Sequence, residues 1–347
     1  MRWSFNLERS YSAALWLFGV AFLVFAMVVV GGATRLTGSG LSIVEWRPVT
    51  GILPPLSDHG WAVEFGKYQH IPQYRLLNRD ISIDTFKGLY WWEWGHRLLG
   101  RVIGAAFLIP FLVLLYLRRI PDRLVWRCWV LLGLGGLQGF IGWWMVSSGL
   151  ESRIYVAPER LTVHLLLALT IFSGCVWTGL EAWFGKARSG FPPEARWRWG
   201  ALALLVLTVI QIKLGALVAG NQGGLVDADW PLMGGKVIPV DYAPKTMGLY
   251  DVLAHTQIAT QFNHRLTAYV LLVFAVVFAA LLTRAPRVAD MVKRLAQAAA
   301  AAILVQAMVG VSALWLGMPL GISLFHQAWA VVVLSLTVSL SWRIRRA

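Results

Sequence analysis

Polar and apolar positions separate into long blocks. No Asp, Glu, Lys or Arg occurs in Ser10 to Thr34, Val102 to Leu117, Cys128 to Leu150, Leu161 to Leu180 or Leu266 to Thr283, and Trp199 to Gly220 is broken only by Lys213. Leu295 to Trp342 is uncharged throughout, more than twice the ~20 residues that one membrane-spanning helix needs. That block folds back at Gly317-Met318-Pro319-Leu320-Gly321, where glycine and proline interrupt a helix. The pattern predicts an all-α integral membrane protein with eight transmembrane helices. The first block is longer than the ~7–15-residue core of a signal peptide and reads as a retained helix.

Composition agrees: 58% of the 347 residues are hydrophobic and 14% charged, against roughly a quarter charged in a soluble domain. A net charge of +14 raises the question of nucleic acid, and the placement of charge answers it. Lys and Arg number 17 before the first span, in every second connection and in the tail, against nine in the longer alternate connections. The positive-inside rule then places both termini in the cytoplasm and the long connections outside. The charge belongs to a bacterial-type inner (cytoplasmic) membrane and its lipid, and nucleic acid is excluded as a partner. Cys128 and Cys175 both fall inside spans, so no exported disulfide framework is implied.

The chain repeats itself. An offset of 168 residues places His96-Arg97-Leu98 on His264-Arg265-Leu266, and Gln138 and Gly142 on Gln306 and Gly310. A slightly larger offset sets Gly40-Leu41 with Glu45-Trp46 on Gly224-Leu225 with Asp229-Trp230. Four spans per half is an even number, so the halves enter the membrane in the same sense, as parallel repeats. Each is expected to be a four-helix bundle: residues 1–185, with a long external loop at 35–88, and residues 186–347, joined near Gly185 to Pro193.

Of seven histidines, His59 and His70 sit in the first long loop as surface residues, and His255 precedes the sixth span. The other four, His96, His164, His264 and His326, lie near the starts of the second, fourth, sixth and eighth spans. Those spans all run inward, so the four share one depth, within two or three turns of the outer ends. A lone intramembrane histidine is usually a packing residue, but four at one depth in two halves point to metal or haem. Zinc, copper or non-haem iron sites add carboxylate or cysteine, and the only carboxylate in this layer is Glu93. Two histidine pairs, one per half, suit two porphyrins with axial imidazoles. Tyr90-Trp91-Trp92, Trp94, Gly95, Gly100 and Gly104 would let a flat macrocycle approach, although the aromatics equally suit an interfacial belt.

Glu93 lies three positions before His96, on the same helix face, and the 168 offset gives Gln261 in its place. The halves thus differ where a buried carboxylate could accept a proton; orienting a histidine or pairing with Arg97 is the alternative. Arg97, Arg101 and Arg265 are candidates for binding haem propionates, or snorkel to the interface. Lys213 is a weaker candidate of the same kind. Glu45, Asp227 and Asp229, beside Trp46 and Trp230, read as structural caps.

These residues resemble those of the heme A synthase family. The resemblance rests on Gly31-Gly32-Ala33-Thr34-Arg35-Leu36-Thr37-Gly38-Ser39-Gly40-Leu41-Ser42, Glu93-Trp94-Gly95-His96-Arg97-Leu98-Leu99-Gly100-Arg101, Thr162-Val163-His164-Leu165, Phe262-Asn263-His264-Arg265 and Leu324-Phe325-His326-Gln327. It implies an oxidoreductase that converts the C8 methyl of haem O to a formyl group, making haem A for terminal oxidases. It further implies a resident haem b on His264 and His326, a substrate haem flanked by His96 and His164, and Glu93 as the essential acidic residue. Heme O synthase and oxidase assembly factors are the implied partners, with a homo-oligomer left open. The first external loop lacks the cysteine pair that some members carry, which places the chain with the cysteine-free proteobacterial and mitochondrial branch. Two other readings remain on the residues alone: a two-haem electron-transfer cytochrome b, and a transporter using the histidines as a proton relay.

Overall fold

The computed structural model describes residues 8–185 and 194–345. Among them the chain forms α1 (Tyr11–Leu36), α2 (Asp58–Gln69), α3 (Pro72–Leu77), α4 (Ile83–Tyr116), α5 (Asp122–Glu151), α6 (Pro158–Phe184), α7 (Ala195–Gly220), α8 (Leu249–His255), α9 (Gln257–Arg284), α10 (Asp290–Trp315) and α11 (Leu320–Ile344). Eight of these, all but α2, α3 and α8, are long and apolar enough to cross a membrane, and each contains or overlaps one of the uncharged blocks. The chain is an all-helical, multi-pass membrane protein. The turn expected after α10 is present, with Gly317 at φ 72° and Met318 at φ 59°. The predicted joint lies, beyond Gly185, outside the described residues.

Two details differ from the expectation. Helix α4 begins at Ile83, because the Ser82 hydroxyl accepts the Thr85 N–H at 3.2 Å and Asp84 occupies the first turn, both favourable at a helix N-terminus. His96 therefore lies in the fourth turn of its helix. The 35–88 loop is also folded. Leu41, Ile43, Trp61, Tyr68, Ile71, Phe86 and Tyr90 bury themselves in one cluster, which seats α2 and α3 as a cap on the end of the bundle.

Helix α1 packs on α4 and α6, and α5 on α6; in the second half α7 packs on α9 and α11, and α10 on α11. Helices α1, α6, α7 and α11 meet at the centre. Lipid tails are as apolar as leucine, so helices associate here through close packing and interhelical hydrogen bonds rather than hydrophobic exclusion. Gly179 leaves room for the Phe18 ring, and Gly220 for the Pro158 backbone. Gln327 Nε2 donates to the Val28 carbonyl at 2.6 Å, and the Arg35 guanidinium to the Ala219 carbonyl, tying one half to the other.

The halves differ at one seam. Helices α9 and α10 pack closely, whereas α4 and α5 touch sparingly. Where α4 and α5 carry Gly100, Gly104, Gly135 and Gly139, all exposed, the 168 offset gives Ala268, Leu272, Ile303 and Ala307, each at least partly buried. At Gly104, Gly135 and Gly139 an added Cβ would meet nothing within 4 Å. The seam closes below these glycines, where Phe107, Phe111, Leu114, Leu124, Cys128 and Leu131 join one apolar cluster. Pro110 lies in that stretch of α4 and has no N–H for the carbonyl four residues back. That carbonyl, of Ala106, accepts the Trp16 indole N–H from α1 at 3.0 Å instead.

At Gly220 an added Cβ would stand 2.6 Å from the Pro158 Cα, a backbone atom that cannot step aside. Gly220→Ala is expected to destabilise the protein by about 1–3 kcal/mol, read as a lowered thermal midpoint in detergent. Gly19→Ala, with nothing within 4 Å, serves as the control and should leave that midpoint in place.

Candidate metal centre

His164, His264 and His326 lie six or seven residues into α6, α9 and α11, about 9–10 Å along each axis. Each of the four layer histidines is seated against a glycine on a neighbouring span. A Cβ on Gly142, Gly215 or Gly310 would stand 3.0, 3.1 or 2.9 Å from Cε1 of His164, His264 or His326, and one on Gly31 3.1 Å from Nε2 of His96. Only glycine lets a backbone approach an imidazole this closely.

In the second half the rings of His264 and His326 face each other, centres 6.4 Å apart and planes inclined by 77°. Metal–imidazole bonds run ~2.0–2.1 Å, so a metal between two such rings holds their centres about 6 Å apart. His326 Nδ1 and the Oε1 atoms of Gln211 and Gln306 are buried without partners, polar groups left for a ligand to satisfy. Among the described residues no cluster of three or more His, Cys, Asp or Glu forms a cage for a bare ion. Two imidazoles then leave the other coordination positions to a macrocycle, and these residues fit a haem.

In the first half, among the described residues, no ring contact joins His96 and His164, unlike their counterparts.

Glu93 is 3% exposed, and both carboxylate oxygens are engaged. Oε2 accepts from the Ser42 hydroxyl and the Ile43 N–H, each at 2.8 Å, and Oε1 from Arg97 Nη2 at 2.6 Å. Arg97 also donates to the carbonyls of Ile43 and Glu45, at 2.7 and 2.8 Å. In the second half Gln261 Nε2 donates to the Asp227 carbonyl at 3.0 Å, and Arg265 donates to the carbonyls of Asp227, Asp229 and Leu232. The same two positions therefore clamp the connection after the first span of each half. The polarity is opposite: the first connection presents donors, which a carboxylate accepts, and the second presents carbonyls, which an amide serves. Glu45, Asp227 and Asp229 lend their main chain to these clamps, while the Glu45 carboxylate pairs with Lys67 and Arg47 and the Asp227 carboxylate accepts the Asp229 N–H. Arg101 donates from Nε to Pro48 and from Nη2 to Arg47 carbonyls, at 2.8 and 2.9 Å, while its Nη1 is buried without a partner.

The remaining candidates lie elsewhere. His59 and His70 are exposed, as expected, and Lys213 is exposed on α7. His255 bridges Glu159 and Asp251 at 3.2 and 3.1 Å, away from the histidine layer. What the sequence reading missed is that Gln138, Gln211 and Gln306 each approach a histidine, donating to the main-chain carbonyl of His164, His264 and His326 at 3.1, 3.0 and 3.0 Å. The signal was a Gln-x-x-x-Gly spacing in three spans, of which only two were related by the repeat.

A profile of the COX15-CtaA family, described as cytochrome oxidase assembly proteins, matches residues 14–338. The chain is 51% identical over 339 residues to a heme A synthase of Caulobacter sp. (strain K31) and 52% identical to one of Caulobacter vibrioides, in both cases across 98% of each chain. It is 47% identical over 329 residues to a heme A synthase of Bradyrhizobium sp. (strain ORS 278), across 93% of this chain and 89% of the relative. The chain belongs to the heme A synthase family. The family match takes in all eight spans and all four layer histidines.

For this heme A synthase family member, the clamp yields a test. Glu93→Ala leaves the largely buried Arg97 charge unpaired, at a cost of about 3–5 kcal/mol, and should lower the thermal midpoint and expose the 42–45 segment to protease. Glu93→Gln keeps one acceptor oxygen but sets an N–H against the remaining donors and removes the charge opposite Arg97, so it should lose part of that stability, though less than Glu93→Ala. A Glu93→Gln protein as stable as the parent would show that the charge pairing with Arg97 does not hold the segment.

Proposed function

We propose that the chain oxidises the C8 methyl of haem O to a formyl group, giving haem A, with a resident haem b in the second half and the substrate porphyrin in the first. The observation that carries the division is the contrast between the halves: a histidine pair in ring contact beside the packed α9–α10 seam, against a pair that, among the described residues, makes no ring contact beside the glycine-lined α4–α5 seam. A resident group belongs where the walls are closed, and a substrate that enters and leaves belongs where they part.

His264 and His326 would hold the haem b iron, and His96 and His164 would flank the substrate iron. Bound haem supplies the one-electron and oxygen chemistry of the site. The chain's own residues do the rest. The apolar walls exclude water, and Arg101, through its unpartnered Nη1, would fix a substrate propionate by a charge-assisted hydrogen bond. Arg97 and Arg265 would place positive charge at the same rim while holding their connections. Glu93 would bring one buried carboxylate to the substrate side alone, taking or returning a proton at a carboxylate oxygen, with the Ser42 hydroxyl as its exchangeable neighbour and Arg97 favouring the charged form. The membrane is the cytoplasmic one, with both termini inside and residues 1–185 and 186–347 as parallel repeats. Haem O would pass to it from heme O synthase.

The deciding experiment expresses the protein with and without a haem O supply, extracts the haems in acid acetone and separates them. Haem A is expected only with the supply; haem B alone, from folded protein given abundant haem O, would favour an electron-transfer cytochrome. His264→Ala and His326→Ala should each abolish the resident haem spectrum. Glu93→Gln should keep that spectrum and lose product; full activity would remove the proton-transfer role. Filling the seam by Gly104→Leu with Gly135→Ile, the second half's own residues, should cut haem A formation at least tenfold while sparing the resident haem.

A further inference from the structure

The four layer histidines are not held alike. Four residues before Gly142, Gly215 and Gly310 stand Gln138, Gln211 and Gln306. The amide of Gln138 lies 3.2 and 3.3 Å from the ring nitrogens of His164, that of Gln211 3.0 and 3.4 Å from those of His264, and that of Gln306 3.4 Å from Nε2 of His326. Each amide also grips the main-chain carbonyl of the same histidine, so ring and backbone are held by one group. Each leaves its Oε1 buried and unpartnered.

Four residues before Gly31 stands Met27. A thioether is at best a weak acceptor, and the Met27 Cε packs 3.5 Å from the Cβ position of Gly100 on α4. Among the described residues no hydrogen bond reaches the ring of His96. That ring is also turned differently: Nε2 and Cδ2 are its atoms nearest the facing glycine, whereas Cε1 and Nδ1 are nearest in the other three.

A metal-bound imidazole coordinates through one nitrogen and needs an acceptor for the N–H of the other, which fixes the ring and raises its basicity; the Nε2 atoms that touch the rings are donors, so the acceptor each glutamine offers is its unpartnered Oε1, two bonds away on the same amide. We propose that Gln138, Gln211 and Gln306 are positioning residues that hold His164, His264 and His326 as iron ligands, and that His96, faced by Met27, is the releasable ligand through which the substrate porphyrin is taken up and let go. This rests on the assignment of haem sites made above. Both ligands of the second half are held by amides, so its haem stays. The first half has one held and one free, which anchors a porphyrin from one side and permits exchange from the other.

Met27→Gln installs the missing amide. In protein purified from a haem O-supplying host, it should raise haem content per chain above that of the parent. Transfer of the first-half porphyrin to apomyoglobin, followed optically, should slow by about ten- to a hundredfold. Gln138→Leu should act in the opposite direction on the same porphyrin and leave the resident spectrum unchanged. Gln211→Leu should raise the reduction potential of the resident haem, and Gln211→Glu should lower it, a pair of opposite shifts that a packing role would not produce. Met27→Leu should match the parent, separating the amide from the loss of sulfur. If Met27→Gln, folded and carrying its resident haem, releases porphyrin at the parent rate, His96 is not the releasable ligand. Unmoved potentials in both Gln211 variants would remove the positioning role. A parent protein that binds no haem would instead overturn the site assignment itself, an outcome its own spectrum identifies before any variant is made.

Discussion

The seating of an imidazole against a glycine on the neighbouring helix sets the terms for the rest of the structure. A polar ring inside hydrocarbon is costly, and it is tolerated where it faces protein and has work for its nitrogens. Glycine at 31, 142, 215 and 310 draws the adjoining backbone to within van der Waals contact of each ring. The helix pairs are thereby fixed in register, and in the second half two histidines are turned toward each other. Larger residues at those glycines would push the helices apart and carry the imidazoles with them.

Around that constraint the two halves are built to one scheme and finished differently. The second half fills its outer seam with Leu272 and Ile303; the first leaves glycine there. The second clamps its connection with an amide, and the first with a carboxylate satisfied by two donors and an arginine. The second holds both histidines with glutamine; the first holds one. Three separate features thus place the adaptable, charged and less constrained site in the same half, in a protein whose relatives act on a porphyrin by name.

Much of this was legible in the chain. Gaps in charge gave the eight spans, because hydrocarbon excludes ionised side chains over a length that helix geometry fixes. The place of four histidines near the starts of alternate spans gave the histidine layer, and the offset of 168 gave the Glu93/Gln261 difference. The rest required distances. The cap over the first half assembles from Leu41, Trp61, Tyr68 and Phe86, residues scattered through a stretch with no clear period, and its burial is a tertiary fact. Glu93 reads in sequence as a reactive carboxylate, yet its hydrogen-bond partners Ser42 and Ile43 lie about 50 residues away, where helix-face reasoning does not reach. Gln211 escaped because its partner in the first half is Met27, so the repeat that exposed Gln138 and Gln306 conceals it.

The bond from Trp16 to the carbonyl freed by Pro110 has a mechanical consequence. A transmembrane helix bends most cheaply where its own ladder is interrupted, and in α4 that point lies below His96 and below the open seam. The part of α4 that bears His96, Gly100 and Gly104 is therefore a lever whose pivot is pinned to α1 by an indole. Movement above that pivot, shared with the cap that Phe86 and Tyr90 join, widens or narrows the gap to α5, while the packed aromatic foot at Phe107 and Phe111 keeps its place in the core.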